Sequence, residues 1–161
     1  METDNYKTIA AACIAYNHTL VAQSPIDVNL AKQLNILLTD MDFPQERIVM
    51  DPLTGALGYG LEYTYSVMER IRLAALGGDG MLDSPLVCLV GEEAWKVKEV
   101  KLTAEEEPLW GEQRSRGINW EVGTAMSVLL AGADVVALRH PESLARVRTQ
   151  LDDWFGTEAK A

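Results

Sequence analysis

Along the chain, short uninterrupted apolar runs alternate with longer stretches in which apolar residues recur every three or four positions. Four runs read as strands: 19–23 (TLVAQ), 47–50 (RIVM), 86–90 (LVCLV) and 134–138 (DVVAL). They are continuous rather than alternating, which suits parallel strands covered on both faces. Five stretches have helical spacing. An opening helix is predicted over 5–16, with Asp4 as its cap. The second, 28–41, gathers Val28, Ala31, Leu34, Leu38 and Met41 on one side, and the third, 62–76, does so with Tyr63, Val67, Ile71 and Ala74. The fourth, 114–130, aligns Ile118, Val122, Met126 and Leu129. The fifth, 141–155, opens on a proline and aligns Leu144, Val147, Leu151 and Phe155.

One helix followed by four βα units predicts a single α/β domain over 1–161, with a parallel sheet and right-handed crossovers. Two architectures have this order: an open doubly wound sheet and part of a (β/α)8 barrel. Both place functional loops at the carboxyl ends of the strands. Those ends read SPID (24–27), DPLTG (51–55), VGEEAW (90–95) and RHPE (139–142). All four carry polar residues, which marks one face as the working face. A complete barrel takes about 250 residues, and four βα units are half of that.

Composition narrows the function. The chain has 161 residues, 48% hydrophobic and 24% charged, with a formal net charge of -10. That charge argues against nucleic acid as a partner, because phosphate backbones are bound by clustered Lys and Arg, and equally against an anionic membrane surface. No apolar run approaches the roughly 20 residues of a membrane span, and no signal-peptide pattern opens the chain. Cys13 and Cys88 form no C-x-x-C pair, so a reducing, cytoplasmic setting with both thiols buried is expected. Two cysteines and two histidines at these spacings assemble no metal or iron–sulfur site.

Candidate chemistry lies at the strand ends. Gly55, Gly58 and Gly60 follow the second strand as G-x-x-G-x-G, the reverse of the dinucleotide fingerprint. No P-loop Lys follows, and Glu62 would repel a phosphate. Tight-turn chemistry or close backbone approach to a broad partner remains, with Thr54 and Tyr59 best placed to touch it. Asp51 ends its strand at the mouth, as a base, an acceptor for an NH-rich ring, or a cap for its own loop. Asp27 and Asn29 have the same two readings, ligand contact or helix capping. Glu92, Glu93 and Trp95 follow the third strand, where Trp95 stacks on a planar ligand, meets a partner subunit or covers the sheet. The charged stretch 96–113 reads as a long loop containing Trp110. Arg139 and His140 finish the fourth strand, with His140 supporting the last helix and His18 placed favourably at the end of the first. These residues form no catalytic set; they describe a surface that holds something.

The stretches NYKTIAAACIAYNHTLVAQSPIDVNLAKQLNILL, RIVMDPLTGALGYGLEYTYSVMERIRLAAL and GEEAWKVKE resemble the small subunit of corrinoid iron–sulfur proteins. In methanogens the equivalent is the delta subunit of the acetyl-CoA decarbonylase/synthase complex. The resemblance spans about residues 4–148 and is most specific over 51–76. It implies a (β/α)8 barrel similar to the methyltetrahydrofolate-binding methyltransferases. It also implies a large partner subunit that carries a [4Fe–4S] cluster and a cobalamin, one corrin face of which the barrel mouth covers. Cobalamin would then be shared with the large subunit, and no iron–sulfur cluster or metal would belong to this chain. The methyl group would pass from a pterin methyltransferase to acetyl-CoA synthase in the Wood–Ljungdahl pathway.

The resemblance also implies a subunit roughly twice this length, in keeping with the size of a complete barrel. The expectation is therefore the C-terminal half of a (β/α)8 TIM barrel, four strands and five helices, truncated or naturally split. Such a half is expected to self-associate through its open edges. Its role would be that of a non-catalytic subunit fragment. The alternative is a pterin-binding, methyltransferase-like barrel enzyme in which Asp51, Asp27 and Asn29 hold the pterin.

Overall fold

The computed structural model describes residues 5–156; Asp4, assigned above as a helix cap, lies outside them. Helix α1 (Tyr6–Ala15) leads into β1 (Leu20–Gln23), α2 (Val28–Thr39), β2 (Ile48–Asp51) and α3 (Leu61–Leu76). Strand β3 (Val87–Cys88) follows, then two short helices, α4 (Val90–Ala94) and α5 (Lys98–Lys101). Helix α6 (Gln113–Leu130), strand β4 (Val135–Val136) and helix α7 (Pro141–Phe155) complete the order.

This corrects the expected fold. The described residues hold seven α-helices and two separate two-stranded parallel sheets, not a half TIM barrel of four strands and five helices. In one sheet β1 pairs with β2 from Leu20–Ile48 to Gln23–Asp51; in the other, Val87 and Cys88 pair with Val135 and Val136. Between the sheets stands one isolated parallel bridge, Met50–Leu86, where the Met50 amide donates to the Pro85 carbonyl at 2.7 Å.

The reason lies in what competes for the ladder. Pro85 has no N–H to contribute. The next amide, Leu86, donates to the Asp134 carboxylate at 2.7 Å, and the Leu89 amide donates to Thr54 Oγ1 at 3.0 Å. Side chains thus take the donors at both ends of β3. Val90, expected as the last residue of the third strand, opens α4 instead, and α5 occupies part of the segment expected as an irregular loop.

Two large apolar clusters carry the fold. Ala10, Leu20, Leu34, Leu38, Phe43 and Ile48 join α1 and α2 to the first sheet. Met50, Met68, Ile71, Leu86, Cys88 and Val128 join α3 and α6 to both sheets. Each large aliphatic side chain buried in this way contributes roughly 1.5–3 kcal/mol. A small third cluster of Ala56, Val97 and Val100 packs under Trp95 and Trp120.

Helix faces follow the predicted stripes with exceptions. On α3 the buried side is Leu61, Thr64, Val67, Met68 and Ile71, so Tyr63 turns outward. On α7 only Ser143 and Val147 are buried while Leu144 and Phe155 are exposed, because this helix packs chiefly against α6.

Three charged side chains are buried among the described residues, Asp51, Arg116 and Glu121, and Glu121 is the deepest. Glu121 of α6 is fully buried, and its carboxylate accepts the amides of Arg139 and, at 3.2 Å, His140. It fixes the turn between β4 and α7 to the middle of α6. The same turn lies so close to α4 that a Cβ on Gly91 would stand 2.5 Å from the Arg139 nitrogen and 2.9 Å from Glu121 Oε1. Replacing Glu121 by Ala should leave two inward amides without an acceptor and destabilise the chain by about 3 kcal/mol. Chemical denaturation checks this; a loss well under 1 kcal/mol would mean that water replaces the carboxylate.

Candidate functional site

The carboxyl ends of β1, β2 and β3 enclose a cleft of about 190 Å³ lined by Gln23, Asp51, Leu53, Thr54, Leu89, Glu92 and Glu93. A second, shallower cleft of about 390 Å³ shares Leu89 and Glu92 and continues past Gly91 and Lys96 to Leu138 and Arg139. Together they form a trough across the working face expected from the sequence.

Asp51 forms its buried end. Its Oδ1 accepts the Leu53 amide at 2.9 Å, and Gln23 Nε2 approaches Oδ2 at 3.4 Å. Burial pushes the Asp51 carboxyl above its ordinary 3.8, and the Leu53 amide offsets part of that rise. Thr54 is also buried, bound to the Leu89 amide. Between them Leu53 is exposed and holds a φ of 67°, a left-handed conformation that costs a non-glycine residue roughly 1–2 kcal/mol. Glu92 and Glu93 share the Lys96 ammonium at 2.7 and 2.9 Å. At the far end Arg139 lies over the Trp95 ring, 5.6 Å from its centroid, and His140 stacks on it at 6.0 Å.

The rest of the glycine loop is held away from the trough by neighbouring helices. Thr64 Oγ1 accepts the Gly55 amide at 2.7 Å and donates to the Leu53 carbonyl at 2.9 Å. Trp120 Nε1 donates to the Leu57 carbonyl at 2.8 Å, and Thr124 Oγ1 accepts the Leu57 amide at 3.2 Å. Tyr59 donates its hydroxyl to Glu99 at 2.8 Å. Gly55 lies against backbone of its own chain, for a Cβ there would be 2.5 Å from the Gly60 carbonyl carbon. Gly58 and Gly60 have φ of 76° and 92°, and Gly60 caps α3.

Of the residues singled out from the sequence, Asp51, Thr54 and Glu93 line the trough, and Trp95 and Arg139 close one end. Gly55, Gly58, Tyr59 and Gly60 shape the loop beside it. Asp27 is the N-cap of α2, its Oδ1 accepting the Asn29 and Leu30 amides at 2.7 and 3.0 Å, and Asn29 stands exposed at the start of that helix. Sequence reasoning missed Gln23, Leu53 and Leu89, which carry no pattern of their own. It also missed Glu121, for which a signal existed: a carboxylate within the apolar stripe of α6, three residues after Ile118.

A family model described as CO dehydrogenase/acetyl-CoA synthase delta subunit matches residues 1–147. The chain belongs to this family. It is 40% identical over 157 residues to the acetyl-CoA decarbonylase/synthase complex subunit delta of Methanosarcina mazei, covering 95% of this chain and 36% of that protein. The corresponding subunit of Archaeoglobus fulgidus is 39% identical over 145 residues, covering 88% and 32%. That of Methanopyrus kandleri is 41% identical over 140 residues, covering 87% and 34%. The chain therefore spans about a third of the length of the curated relatives it matches, less than the half expected from the resemblance. Among the described residues no helix is long and apolar enough to cross a membrane.

Two measurements test this geometry. Because the Asp51 carboxyl is raised by folding, its ionisation opposes the folded state. Its effect is absent well below 3.8, where both states are protonated, and grows as pH rises through 3.8 toward the raised folded value. Asp51→Asn should therefore gain stability relative to the parent as pH is raised from 3 to neutral; a difference independent of pH would contradict the buried-acid reading. Gly55→Ala should destabilise by about 1–3 kcal/mol through its clash with Gly60, read as a lower denaturation midpoint; an unchanged midpoint would mean that the loop yields freely.

Proposed function

We propose that the trough covers one face of a corrin ring carried by a partner subunit in an acetyl-CoA decarbonylase/synthase assembly. The observation that carries this reading is the strained, exposed Leu53 lining the trough, held on loop backbone between Asp51 and Thr54. Family membership supports it, since the relatives are named as delta subunits of that complex.

The residues present fit such a ring. Leu53 and Leu89 offer apolar surface to a macrocycle face, and Gln23, Glu92 and Glu93 offer polar partners to amide substituents on its edge. When bound, the cobalamin supplies the metal centre for methyl transfer between a methyl-pterin and acetyl-CoA synthase. This chain's part is positional. The leucines exclude water from the covered face, and Asp51, Thr64 and Thr124 hold the loop so that little ordering remains to be done on docking. The pterin-binding alternative needs Asp51, Asp27 and Asn29 around one ligand. Asp27 is committed to capping α2, which favours the covering role.

Mixing the chain with the cobalamin-bearing large subunit should give a complex by gel filtration and a shift in the corrin absorption bands. Leu53→Glu should weaken that complex by about tenfold, corresponding to roughly 1.4 kcal/mol. No complex, or Leu53→Glu binding as the parent does, would refute the covering role. Submillimolar binding of methyltetrahydrofolate in calorimetry would favour the enzyme instead.

A further inference from the structure

Helices α3 and α6 leave an open groove between them, a cleft of about 390 Å³ lined by Leu57, Leu61, Tyr65, Ser66 and Ser127. It shares no residue with the trough or its extension. One wall is fixed before anything docks. Thr124 and Trp120 of α6 bind the Leu57 amide and carbonyl, yet the Leu57 side chain is exposed. The apolar line continues beyond the cleft. Leu73 and Leu76 follow Glu69 on α3 at helical spacing, Leu130 follows Ser127 on α6, and all three are exposed. From Glu62 to Leu76 this side of α3 spans about 21 Å.

Two carboxylates line the same cleft. Glu62 and Glu69 are exposed, and neither has an ion-pair partner among the described residues. They stand seven residues apart on α3, two helical turns, or about 10 Å along its axis. No cation of this chain answers them. Arg72, farther along α3, is bound to the Gly132 carbonyl and the Asp134 carboxylate. Arg70 lies about 100° round the helix from Glu69 and lines no part of the cleft. From Asn119 to Leu130, α6 carries one charged residue, Glu121, and it is buried. The groove therefore combines apolar surface with unanswered negative charge.

We propose that this groove docks a basic amphipathic helix of another protein. Its apolar residues seat against Leu57, Leu61 and Tyr65, and Lys or Arg residues two turns apart meet Glu62 and Glu69. Helix-in-groove recognition of this kind reads anchors at three- and four-residue spacing, which an apolar channel between two helices supplies. Charge decides between occupants. A second copy of this chain does not match, since none of the described helices carries two basic residues seven positions apart. Each copy also has a formal net charge of -10. An anionic membrane surface is repelled by the same carboxylates. The site stands whether or not the trough covers a corrin.

Calorimetry of the purified chain with a synthetic Leu/Lys peptide of about 18 residues, long enough to form a helix, tests it. The peptide's leucines follow three- and four-residue spacing, and its lysines repeat every seven. One-site saturable binding is expected, weakening as salt is added. The double variant Glu62→Gln/Glu69→Gln and the single variant Leu57→Ser should each weaken it about tenfold. Both glutamates are exposed, so the double variant should keep the parent's circular dichroism. Should Leu57→Ser disturb its loop, Ser66→Lys sets a positive charge in the cleft from an exposed helix position and should also weaken binding. Leu53→Glu, in the trough, should bind the peptide as the parent does. The proposal is overturned if the peptide gives no saturable heat, if glutamate in place of its lysines binds as tightly, or if the double variant binds as the parent does. Sedimentation of the chain alone that shows a dimer lost in the double variant would make a second copy the occupant and overturn it as well.

Discussion

The buried carboxylate of Glu121 is the interaction on which the working face depends. It receives the two amides that open the β4–α7 turn, and Gly91 lets α4 close over the same backbone. One charged group therefore registers α4, α6, β4 and α7 against each other. Both ends of the rim follow from it: the Leu89–Glu92 wall of the trough and the Trp95–His140–Arg139 stack. A buried carboxylate is tolerated here because backbone donors at a helix start meet it, which satisfies the charge without a cation.

The second constraint is the anchoring of the loop after β2. Thr64 binds it from α3, and Thr124 and Trp120 bind it from α6. Two of these contacts use short threonine side chains and the third a stiff indole, each of limited reach, so the loop is held firmly although it contains three glycines. Rigidity of that kind is what keeps Leu53 in a left-handed conformation it would otherwise leave. The glycines serve the turn and the close approach of Gly55 to Gly60, and the surface offered to a partner comes from Leu53 and Leu89.

How much of this was legible depended on the range of the interaction. Helices α2, α3, α6 and α7 were readable because 3.6-residue periodicity is local and each had a buried stripe. That the strands run parallel was readable from continuous apolar runs, whereas which strand pairs with which came from the structure. The length of β3 was not: LVCLV has the composition of a full strand, yet Asp134 and Thr54, 48 and 35 residues away, take its end donors. The barrel expectation failed at that point. Within the site, Asp51 and Thr54 could be placed by following the strand end, whereas Gln23 and Leu89 became site residues only because β1, β2 and β3 end side by side.

The sequence by itself determined the family, the parallel α/β order, the five longer helices and the side of the molecule that carries polar strand ends, because each rests on local spacing or on matched residues along the chain. The tertiary structure decided the interruption of the sheet, the commitment of Asp27 to a helix cap, the strain at Leu53 and the groove between α3 and α6. These arise from contacts between residues tens of positions apart, where a single side-chain acceptor redirects backbone that local propensity would have continued as strand.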